Sequence, residues 1–496
     1  MEQDAVTAGL RRYEPLVGDW DAFAAALARP SVPCISVNRL RIAPARLEAM
    51  LREDGRAPQR IAWDGGAFRL PADARPGLWW QSQAGLYQGQ EEASLLPVNL
   101  LDARPGERVL DLCAAPGGKT ALIAIALGNR GTLLANDKDS RRLTAIRDKM
   151  KRLGLLNVTT TVRDGADFPL SAGPFDRVLA DVPCSSEGTN FRNGASYLRT
   201  SEDFRRWIAG QQRALLRRAV ALTRPGGRIV YSTCSFAPEE NEAVVNAVLR
   251  EAEGMLRVVP LPVEGLASSP GVVAWQGAEF HPDLRHAVRL WPHLSGTGGF
   301  FAVALERVAG AAAQPAPAAE LPGEPLDGAE EIALILEHFG LPADAFAELT
   351  LLAKGDHAVA VADDHAPPPR PQPVSTGVPL FRMAGRWPKL TTSAALAFGA
   401  GATRNVVELD AAQSATYQAR RPVEPAGEQL SACDGRGYVM LRHRGVALGL
   451  GLLRPGPSPV IESEFPRAWV PERQTRVFSG EVDIGSSLRK CARTKG

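Results

Sequence analysis

The sequence predicts an α/β protein with a doubly wound, Rossmann-like sheet, an N-terminal α+β lobe and a C-terminal β-rich domain. Two observations predict the sheet. Between residues 107 and 307, short apolar runs typical of strands alternate with longer segments typical of helices. This alternation indicates a parallel sheet that helices cover on both faces. In addition, the first strand leads through a glycine-containing turn into a helix, and such a turn lets a ligand approach the backbone closely.

The elements of this central region follow one another regularly. The first strand covers residues 108–112, and the helix after the turn covers residues 119–127. Further strands are predicted over residues 131–136, 158–163, 175–180, 228–232 and 300–306. Further helices are predicted over residues 140–153, 201–222 and 239–251. Because ligands of open α/β sheets bind at the carboxyl ends of the strands, residues that follow these strands are the candidates for function.

The chain of 496 residues is too long for one hydrophobic core, so several domains are expected. Outside the sheet domain, helices are predicted over residues 19–28 and 330–352, and strands over 437–441 and 446–453. The predicted segments are, in chain order, an N-terminal lobe (1–85), the sheet domain (86–308), an Ala/Pro-rich linker (309–326), a small helical unit (327–370), a β-rich domain (374–471) and a basic tail (472–496).

Composition excludes several classes of protein. The net charge is only +2, so any nucleic-acid binding has to come from local patches. No apolar stretch is long enough to span a bilayer, and the first residues are acidic rather than typical of a signal peptide. A cytoplasmic protein without a membrane partner is therefore expected. None of the six cysteines forms a Cys-x-x-Cys pair, so neither a disulfide framework nor a metal site is predicted.

Four acidic residues follow successive predicted strands. They are Asp111, Asp137, Asp164 and Asp181. In an open sheet these positions line one crevice, where Asp137 is placed to hold ribose hydroxyls and Asp164 to accept from an adenine amine. Aspartate at a strand end also caps the following helix, which is the structural alternative for each of them. Four acids in register favour a nucleoside ligand over that alternative.

Two cysteines follow neighbouring strands in the predicted order. Cys184 comes after Asp181-Val182-Pro183, and Cys234 lies in Ser232-Thr233-Cys234-Ser235. Adjacent strands lie roughly 5 Å apart, so both thiols can face the same pocket. A buried cysteine is more often an inert small hydrophobe, which is the simpler interpretation of Cys113.

Three motifs together resemble the RNA cytosine-C5 methyltransferases, the Sun/Nop family. They are RVLDLCAAPGGKT (108–120), FDRVLADVPCSSEGT (175–189) and GGRIVYSTCSFAPEENE (226–242). The resemblance runs from about residue 90 to residue 301. The C-terminal residues 461–469 extend it, because they resemble the PUA-like domain of the bacterial ribosomal RNA small subunit methyltransferase F group.

The resemblance implies an enzyme that methylates C5 of cytosine in RNA with S-adenosyl-L-methionine. In such an enzyme a thiolate adds to C6, because C5 is otherwise a poor nucleophile. The resemblance assigns Cys234 as the nucleophile and Cys184 to product release, a choice that the residues alone leave open. It also assigns Asp181 to the N3/N4 edge of the base. Lys119 has two interpretations. It either holds Asp181 charged, or it is a solvated lysine on the surface of the helix. The implied cofactor-binding residues are Cys113, Ala114, Ala115, Pro116, Gly117, Gly118, Lys119, Asp137, Asp164 and Asp181.

The resemblance leaves the substrate open. It favours 16S ribosomal RNA of the small subunit as the partner. The N-terminal lobe and the PUA-like domain are expected to recognise the RNA. The protein is expected to act as a monomer. Transfer RNA is the nearest alternative, and a non-catalytic RNA-binding assembly factor is an alternative of another class. The arginine-rich segments 141–163 and 199–218 either follow phosphates or are merely solvated.

Overall fold

The computed structural model describes residues 2–191, 201–310, 321, 323–384 and 387–470. The predicted basic tail lies outside the described residues, as does most of the predicted linker. The chain divides into two compact units. The first unit is Met1–Ala74, Gly85–Gly328 and Phe346–Arg382, and the second unit is Arg75–Ala84, Ala329–Ala345 and Met383–Gly496.

The N-terminal part of the first unit is an α+β lobe, as expected. Its four-stranded antiparallel sheet has the order β2-β3-β1-β4. The third helix begins at the predicted place because the Asp19 side chain accepts from Ala22 N at 2.9 Å. The elements are α1 (Glu2–Leu10), α2 (Glu14–Val17), α3 (Trp20–Leu27), β1 (Cys34–Val37), α4 (Pro44–Glu53), β2 (Gln59–Ile61), β3 (Asp64–Arg69), α5 (Trp80–Gln83, in the second unit), β4 (Tyr87–Gln90) and α6 (Leu96–Leu101).

The central sheet contains every strand that the sequence predicts between residues 107 and 307. The strands are β5 (Arg108–Asp111), β6 (Thr132–Asp137), β7 (Val158–Val162), β8 (Phe175–Asp181), β9 (Thr223–Thr233), β10 (Leu256–Val258), β11 (Ser269–Pro270), β14 (Val288–Leu290) and β15 (Phe300–Arg307). A separate hairpin is formed by β12 (Ala274–Trp275) and β13 (Ala278–Glu279). The helices are α7 (Gly118–Ala126), α8 (Leu143–Leu153), α9 (Glu187–Asn190), α10 (Glu202–Leu222), α11 (Glu242–Glu251) and α12 (Pro292–Ser295).

The sheet is mixed rather than wholly parallel, which corrects the expectation from the sequence. Strands β9, β8, β5, β6 and β7 are parallel neighbours in that order. Strand β15 runs antiparallel to both β9 and β14. The connection from β14 to β15 has only nine residues, 291–299, whereas a crossover between parallel strands needs a dozen or more. The short connection therefore favours the reversed strand.

The described chain between residues 323 and 384 differs from the small helical unit that was predicted. Helix α13 (Ala329–Phe339) ends early, because Gly340 has φ +55° and Pro342 follows. The rest of the predicted helix contributes instead to an antiparallel pair, β17 (Leu349–Lys354) and β18 (His357–Ala362). Strands β16 (Glu324–Pro325) and β20 (Val378–Ala384) flank this pair.

The start of the predicted C-terminal domain is also corrected. Strand β19 (Pro373–Thr376) pairs antiparallel with β7 and so lies in the central sheet. Thr376 Oγ1 lies 2.6 Å from Thr159 Oγ1 in this pairing. Prolines around residue 370 indicate a hinge by composition, but proline is tolerated in an edge strand, which β19 is.

The second unit contains the predicted β-rich region. Its sheet has the order β22-β23-β24-β25, and β23 and β24 match the two strands predicted there. The elements are β21 (Trp387–Leu390), α14 (Thr392–Phe398), β22 (Val406–Glu408), α15 (Ala411–Gln418), β23 (Gly437–His443), β24 (Val446–Arg454) and β25 (Val460–Ser463). Across both units, none of the described helices has the length and apolar character needed to cross a bilayer.

Candidate active site

The turn between β5 and α7 is a tight loop that requires its glycine. Gly117 has φ +89°, and a Cβ atom at this position would lie 2.8 Å from Ile146 Cγ1. Any side chain there would therefore be strained and would clash. Ala114 N donates to Asn136 O at 2.7 Å, which ties the loop to the end of β6. The predicted loop 113–118 thus lies at the carboxyl edge of the parallel strands.

The four strand-end acids have different environments. Asp137 accepts from Ala115 N at 3.3 Å and pairs with Arg142 at 3.1 Å, so it lies directly against the loop. Asp164 is exposed at the end of β7, the strand next to β6, and accepts from Ala166 N at 2.9 Å. Asp111 is buried and accepts from Thr120 Oγ1 at 2.7 Å, and burial raises the pKa of its carboxyl to about 7. This contact joins two side chains and does not cap α7, and Asp111 Oδ1 is buried without a hydrogen-bond partner among the described residues.

Two glutamines of β4 lie against the same loop, and the sequence did not single them out. Gln88 Nε2 donates to Gly118 O at 3.2 Å. Among the described residues, neither polar atom of the buried Gln90 amide has a hydrogen-bond partner. Gln90 Oε1 would lie 3.6 Å from a Cβ atom on Gly118. Because a buried polar group without a partner costs free energy, these amides fit a loop that binds a polar ligand.

Lys119 and Asp181 form an ion pair at the end of β8. Lys119 Nζ lies 2.7 Å from Asp181 Oδ2, and Ser232 Oγ donates to Asp181 Oδ1 at 2.7 Å. Burial opposes the charge on Lys119, but the Asp181 carboxylate outweighs it and the pKa of Lys119 is raised. Only 15% of the Lys119 side chain is exposed, which excludes the alternative of a lysine on the helix surface.

The two thiols meet as the sequence predicts. Cys184 Sγ and Cys234 Sγ are 3.3 Å apart, because they follow the neighbouring strands β8 and β9. The hydrogen bond from the Cys184 thiol lowers the pKa of Cys234. Cys184 donates that bond and is buried, and both effects raise the pKa of its thiol. The pair therefore favours a thiolate on Cys234 and a thiol on Cys184.

A buried carboxylate holds both cysteine loops, and it was not predicted. Glu240 accepts from Ser185 N at 2.8 Å and from Ser235 Oγ at 2.8 Å, one residue beyond each cysteine. Gln212 Nε2 of α10 also donates to Glu240, at 3.0 Å. The acidic residues Glu239, Glu240 and Glu242 at the end of the Cys234 motif were the signal in the sequence, but their first interpretation is a helix start.

A second buried acid links the Cys184 loop to the N-terminal helices. Tyr13 OH donates to Glu187 Oε2 at 2.6 Å. Glu187 Oε1 is buried and has no hydrogen-bond partner among the described residues. Burial is the main cause that raises the pKa of Glu187 to about 7. Nothing local in the sequence connects positions 13 and 187.

This raised pKa predicts how stability depends on pH. Between about pH 4.5 and 7 the folded state holds a proton on Glu187 that the unfolded state has lost. The free energy of unfolding therefore falls as the pH rises through this window, by up to about 1.4 kcal/mol per pH unit from this group. In Glu187→Gln this contribution is absent, so urea unfolding at pH 5, 6, 7 and 8 should show a flatter profile than in the wild type. The exposed Glu330→Gln is the matched control, and a profile in Glu187→Gln as steep as the wild type's would contradict the prediction.

A small cavity of about 120 Å³ lies at this edge of the sheet. Cys234, Lys119 and Asp181 face it, together with Phe300 from β15. Cys184 is not among its lining residues, although Cys184 Sγ lies 3.3 Å from Cys234 Sγ. The expectation that both thiols face the same pocket is therefore wrong, because Cys234 alone of the two faces this cavity. The remaining lining residues are Glu91, Ala93, Ser94, Val182 and Thr189. The cavity thus presents one thiol, one cation and two carboxylates to a small molecule or a base.

The glycine turn, the acids at the ends of β6 and β7, and the Rossmann-like sheet define an S-adenosylmethionine-dependent methyltransferase. Residues 98–306 match the family model described as 16S rRNA methyltransferase RsmB/F. The chain belongs to the RNA cytosine-C5 methyltransferases of the Sun/Nop family, as the three motifs predicted. The predicted fold class, the enzyme class and the cofactor are confirmed by this family membership.

The names of the relatives specify different RNA substrates. The tRNA (cytosine(49)-C(5))-methyltransferase of Pyrococcus abyssi is 34% identical over 301 residues, which are 59% of this chain and 93% of the relative. The ribosomal RNA small subunit methyltransferase F of Salmonella paratyphi C is 32% identical and is matched over 66% of this chain and 69% of its own. The 28S rRNA (cytosine-C(5))-methyltransferase of Mus musculus is 38% identical over 47% of this chain, but only 29% of its own length is matched.

A solved structure supports the same fold. The methyltransferase homolog protein from Pyrococcus horikoshii superposes with a TM-score of 0.53 and 30% sequence identity. The match covers 60% of this chain and 99% of the archaeal chain. Sequence and structure comparisons therefore agree on the methyltransferase fold.

Proposed function

We propose that the protein methylates C5 of cytosine in ribosomal RNA through a covalent adduct between Cys234 and C6 of the base. The observation that carries this proposal is the position of Cys234, which faces the cavity while its Sγ lies 3.3 Å from Cys184 Sγ. As the Cys234 thiolate adds to C6, the C5–C6 double bond opens and C5 becomes nucleophilic. When bound, S-adenosylmethionine supplies the methyl group that C5 takes.

Asp181 and Lys119 act together on the base. The Asp181 carboxylate faces the cavity beside Cys234 and is suited to accept hydrogen bonds from N4 and from a protonated N3 of cytosine. N3 takes this proton from water, and the proton draws electrons away from C6 as sulfur attacks. Lys119 Nζ lies 2.7 Å from Asp181 Oδ2 and holds that carboxylate in place.

Cys184 acts when the adduct breaks. After methyl transfer the C5 proton is lost to water and the C5–C6 double bond re-forms, so the bond from C6 to Cys234 sulfur breaks. The departing thiolate then regains the hydrogen bond from the Cys184 thiol, which lowers the pKa of Cys234 in the free enzyme. A leaving group with a lower pKa leaves faster, so Cys184 promotes product release.

The cofactor is held between the loop 113–118 and the strand-end acids. Asp137 lies against Ala115 and would bind the ribose hydroxyls, and the exposed Asp164 would accept from the adenine amine. The unpartnered Gln90 amide fits the polar amino-acid end of the same molecule.

Removal of the Asp137 carboxylate should weaken cofactor binding. Because hydrogen bonds to a charged group are worth more than neutral ones, Asp137→Ala should bind S-adenosylmethionine about tenfold or more weakly. Titration calorimetry on the full-length protein measures this directly. Asp139→Ala is the control, since Asp139 pairs with Arg141 instead of contacting the loop. Equal affinity in Asp137→Ala and the wild type would remove Asp137 from the cofactor site.

In this proposal the specific target is 16S ribosomal RNA of the small subunit, and the protein acts as a cytoplasmic monomer. The name of the matching family model and the Salmonella relative favour this target. The N-terminal lobe and the β-rich second unit, proposed as PUA-like, would recognise the RNA. The name of the Pyrococcus abyssi relative favours transfer RNA as the second candidate.

Bisulfite sequencing of total RNA distinguishes these targets. In cells that lack the gene, at least one 16S cytosine should change from protected to converted, and the gene with Cys234→Ala should fail to restore protection. Loss of protection confined to transfer RNA would select the second candidate. No change in any RNA would contradict both.

A further inference from the structure

A larger groove lies beside the cysteine loops, on the outer surface of the first unit. It has a volume of about 700 Å³, and residues of α10, the start of α11 and the N-terminal helices line it. Helix α10 joins the parallel strands β8 and β9, and α11 follows β9. The first turns of both helices therefore lie at the carboxyl edge of the sheet, which is also the edge of the catalytic cysteines.

The groove carries an excess of positive charge. Four arginines line it, Arg12, Arg205, Arg206 and Arg213, against two glutamates, Glu202 and Glu239. Arg12 pairs with Glu239, and Arg206 pairs with Glu202 at 2.8 Å. The pairing is incomplete, because the buried atoms Arg12 Nη1 and Glu239 Oε2 have no hydrogen-bond partner among the described residues. A cluster of arginines around a groove is the arrangement that binds phosphate groups.

An exposed aromatic side chain lies on α10, the helix that carries three of the groove's arginines, outside the residues that line the groove. Trp207 is 47% exposed, more than any other large hydrophobic side chain in the described part of the chain. It follows Arg206 on α10, and its ring lies 5.7 Å from that of Phe204. An exposed tryptophan beside a basic groove is typical of surfaces that bind single-stranded nucleic acid, where bases stack on the ring.

The groove is also connected to the catalytic site. Glu239, on its wall, directly precedes Glu240, whose carboxylate holds Ser185 and Ser235 beside the two cysteines. Arg205 lies close enough to Glu187 to interact with it electrostatically, and Glu187 is three residues from Cys184. The wall of the groove therefore lies next to the loops that carry the thiols.

We propose that this groove binds the phosphate backbone of single-stranded RNA next to the target cytosine, with Trp207 stacking on a neighbouring base. The proposal rests on the proposed function and names the surface that serves it. Single-stranded RNA is favoured because sulfur reaches C6 only in a base that has left its stack. It is favoured over an acidic protein because Trp207 adds a stacking surface that such a partner does not use.

The test is fluorescence anisotropy with a fluorescein-labelled 12-nucleotide RNA that has one central cytosine in uridines. Arg206→Gln/Arg213→Gln should bind about tenfold more weakly at 0.1 M salt, and its plot of log affinity against log salt should be shallower by about 1.4. Trp207→Ala should also bind about tenfold more weakly, but with the salt slope of the wild type. Calorimetry with S-adenosylmethionine checks that each variant is folded.

The control variant is Arg250→Gln/Arg257→Gln. Arg257 pairs with Glu306, which lies opposite Arg228 near the start of β9. Arg250 lies in the last turn of α11. Both arginines therefore lie at the amino edge of the parallel strands, away from the groove. Equal loss of affinity in the control, or none in the groove variants, would overturn the proposal. So would tighter binding of a 20-residue polyglutamate peptide than of RNA, or equal binding of the labelled RNA as a duplex. All of these measurements report RNA binding and none requires methyl transfer. A failure of the proposed function is therefore detected separately, as a lack of methyltransferase activity in the wild type.

Discussion

Cys234→Ala should lose methyl transfer by a factor on the order of 10⁴ or more, and it should form no covalent complex with RNA. The reason is that Cys234 is the only thiol that faces the cavity of Lys119 and Asp181 within the described residues. Without its sulfur, C6 receives no electrons and C5 stays a poor nucleophile. Methyl incorporation from labelled S-adenosylmethionine measures the loss, and denaturing gel electrophoresis with labelled RNA measures the adduct.

The control for this variant is Cys433→Ser. Cys433 lies in the second unit, where its thiol contacts only Val406 O among the contacts described. Its replacement should leave methyl transfer near the rate of the wild type. A Cys234→Ala protein that still transfers methyl groups at more than a few per cent of that rate would exclude Cys234 as the nucleophile.

Cys184→Ala should have the opposite effect on the adduct. Cys234 still faces the cavity and can attack, so one methyl group is transferred. The departing Cys234 sulfur then lacks the hydrogen bond that lowers its pKa, and the adduct breaks slowly. A complex that resists denaturation should therefore accumulate on the gel, while turnover falls to about one methyl group per enzyme.

The two variants together fix the order of the thiols. An adduct band with Cys184→Ala and none with Cys234→Ala supports the assigned roles. The reverse pattern would exchange them. The serine variants Cys184→Ser and Cys234→Ser are tested in the same way. If none of the four variants gives an adduct band under conditions in which the wild type is active, the reaction does not pass through a cysteine adduct.

The sequence predicted the parallel strands and the meeting of the two thiols because both follow from local patterns. Apolar runs mark β5, β6, β8 and β9, and residues at the ends of neighbouring parallel strands necessarily lie close together. The 3.3 Å contact between Cys184 and Cys234 follows from that placement. The chemical roles of these residues stay predictions until the variants are made.

Features that depend on distant parts of the chain were missed or wrong. The contact between Tyr13 and Glu187 joins residues 174 positions apart, and no periodicity encodes it. Strand β19 pairs with β7, which lies more than two hundred residues earlier in the chain. No local pattern indicates that pairing, and the prolines around residue 370 indicated a hinge instead. The helix predicted over residues 330–352 was too long because apolar residues continue past Gly340 into a strand. In each case tertiary pairing overrides the local pattern.

The central claim is that the protein places a methyl group on C5 of cytosine, and release of the C5 hydrogen tests it most directly. RNA transcribed with cytidine that carries tritium at C5 is incubated with the purified wild type and S-adenosylmethionine, and tritium in the water is counted against methyl groups in the RNA. One tritium should be released for each methyl group incorporated, and none with Cys234→Ala. Methyl incorporation without tritium release would contradict the claim, because it would place the methyl group on another atom.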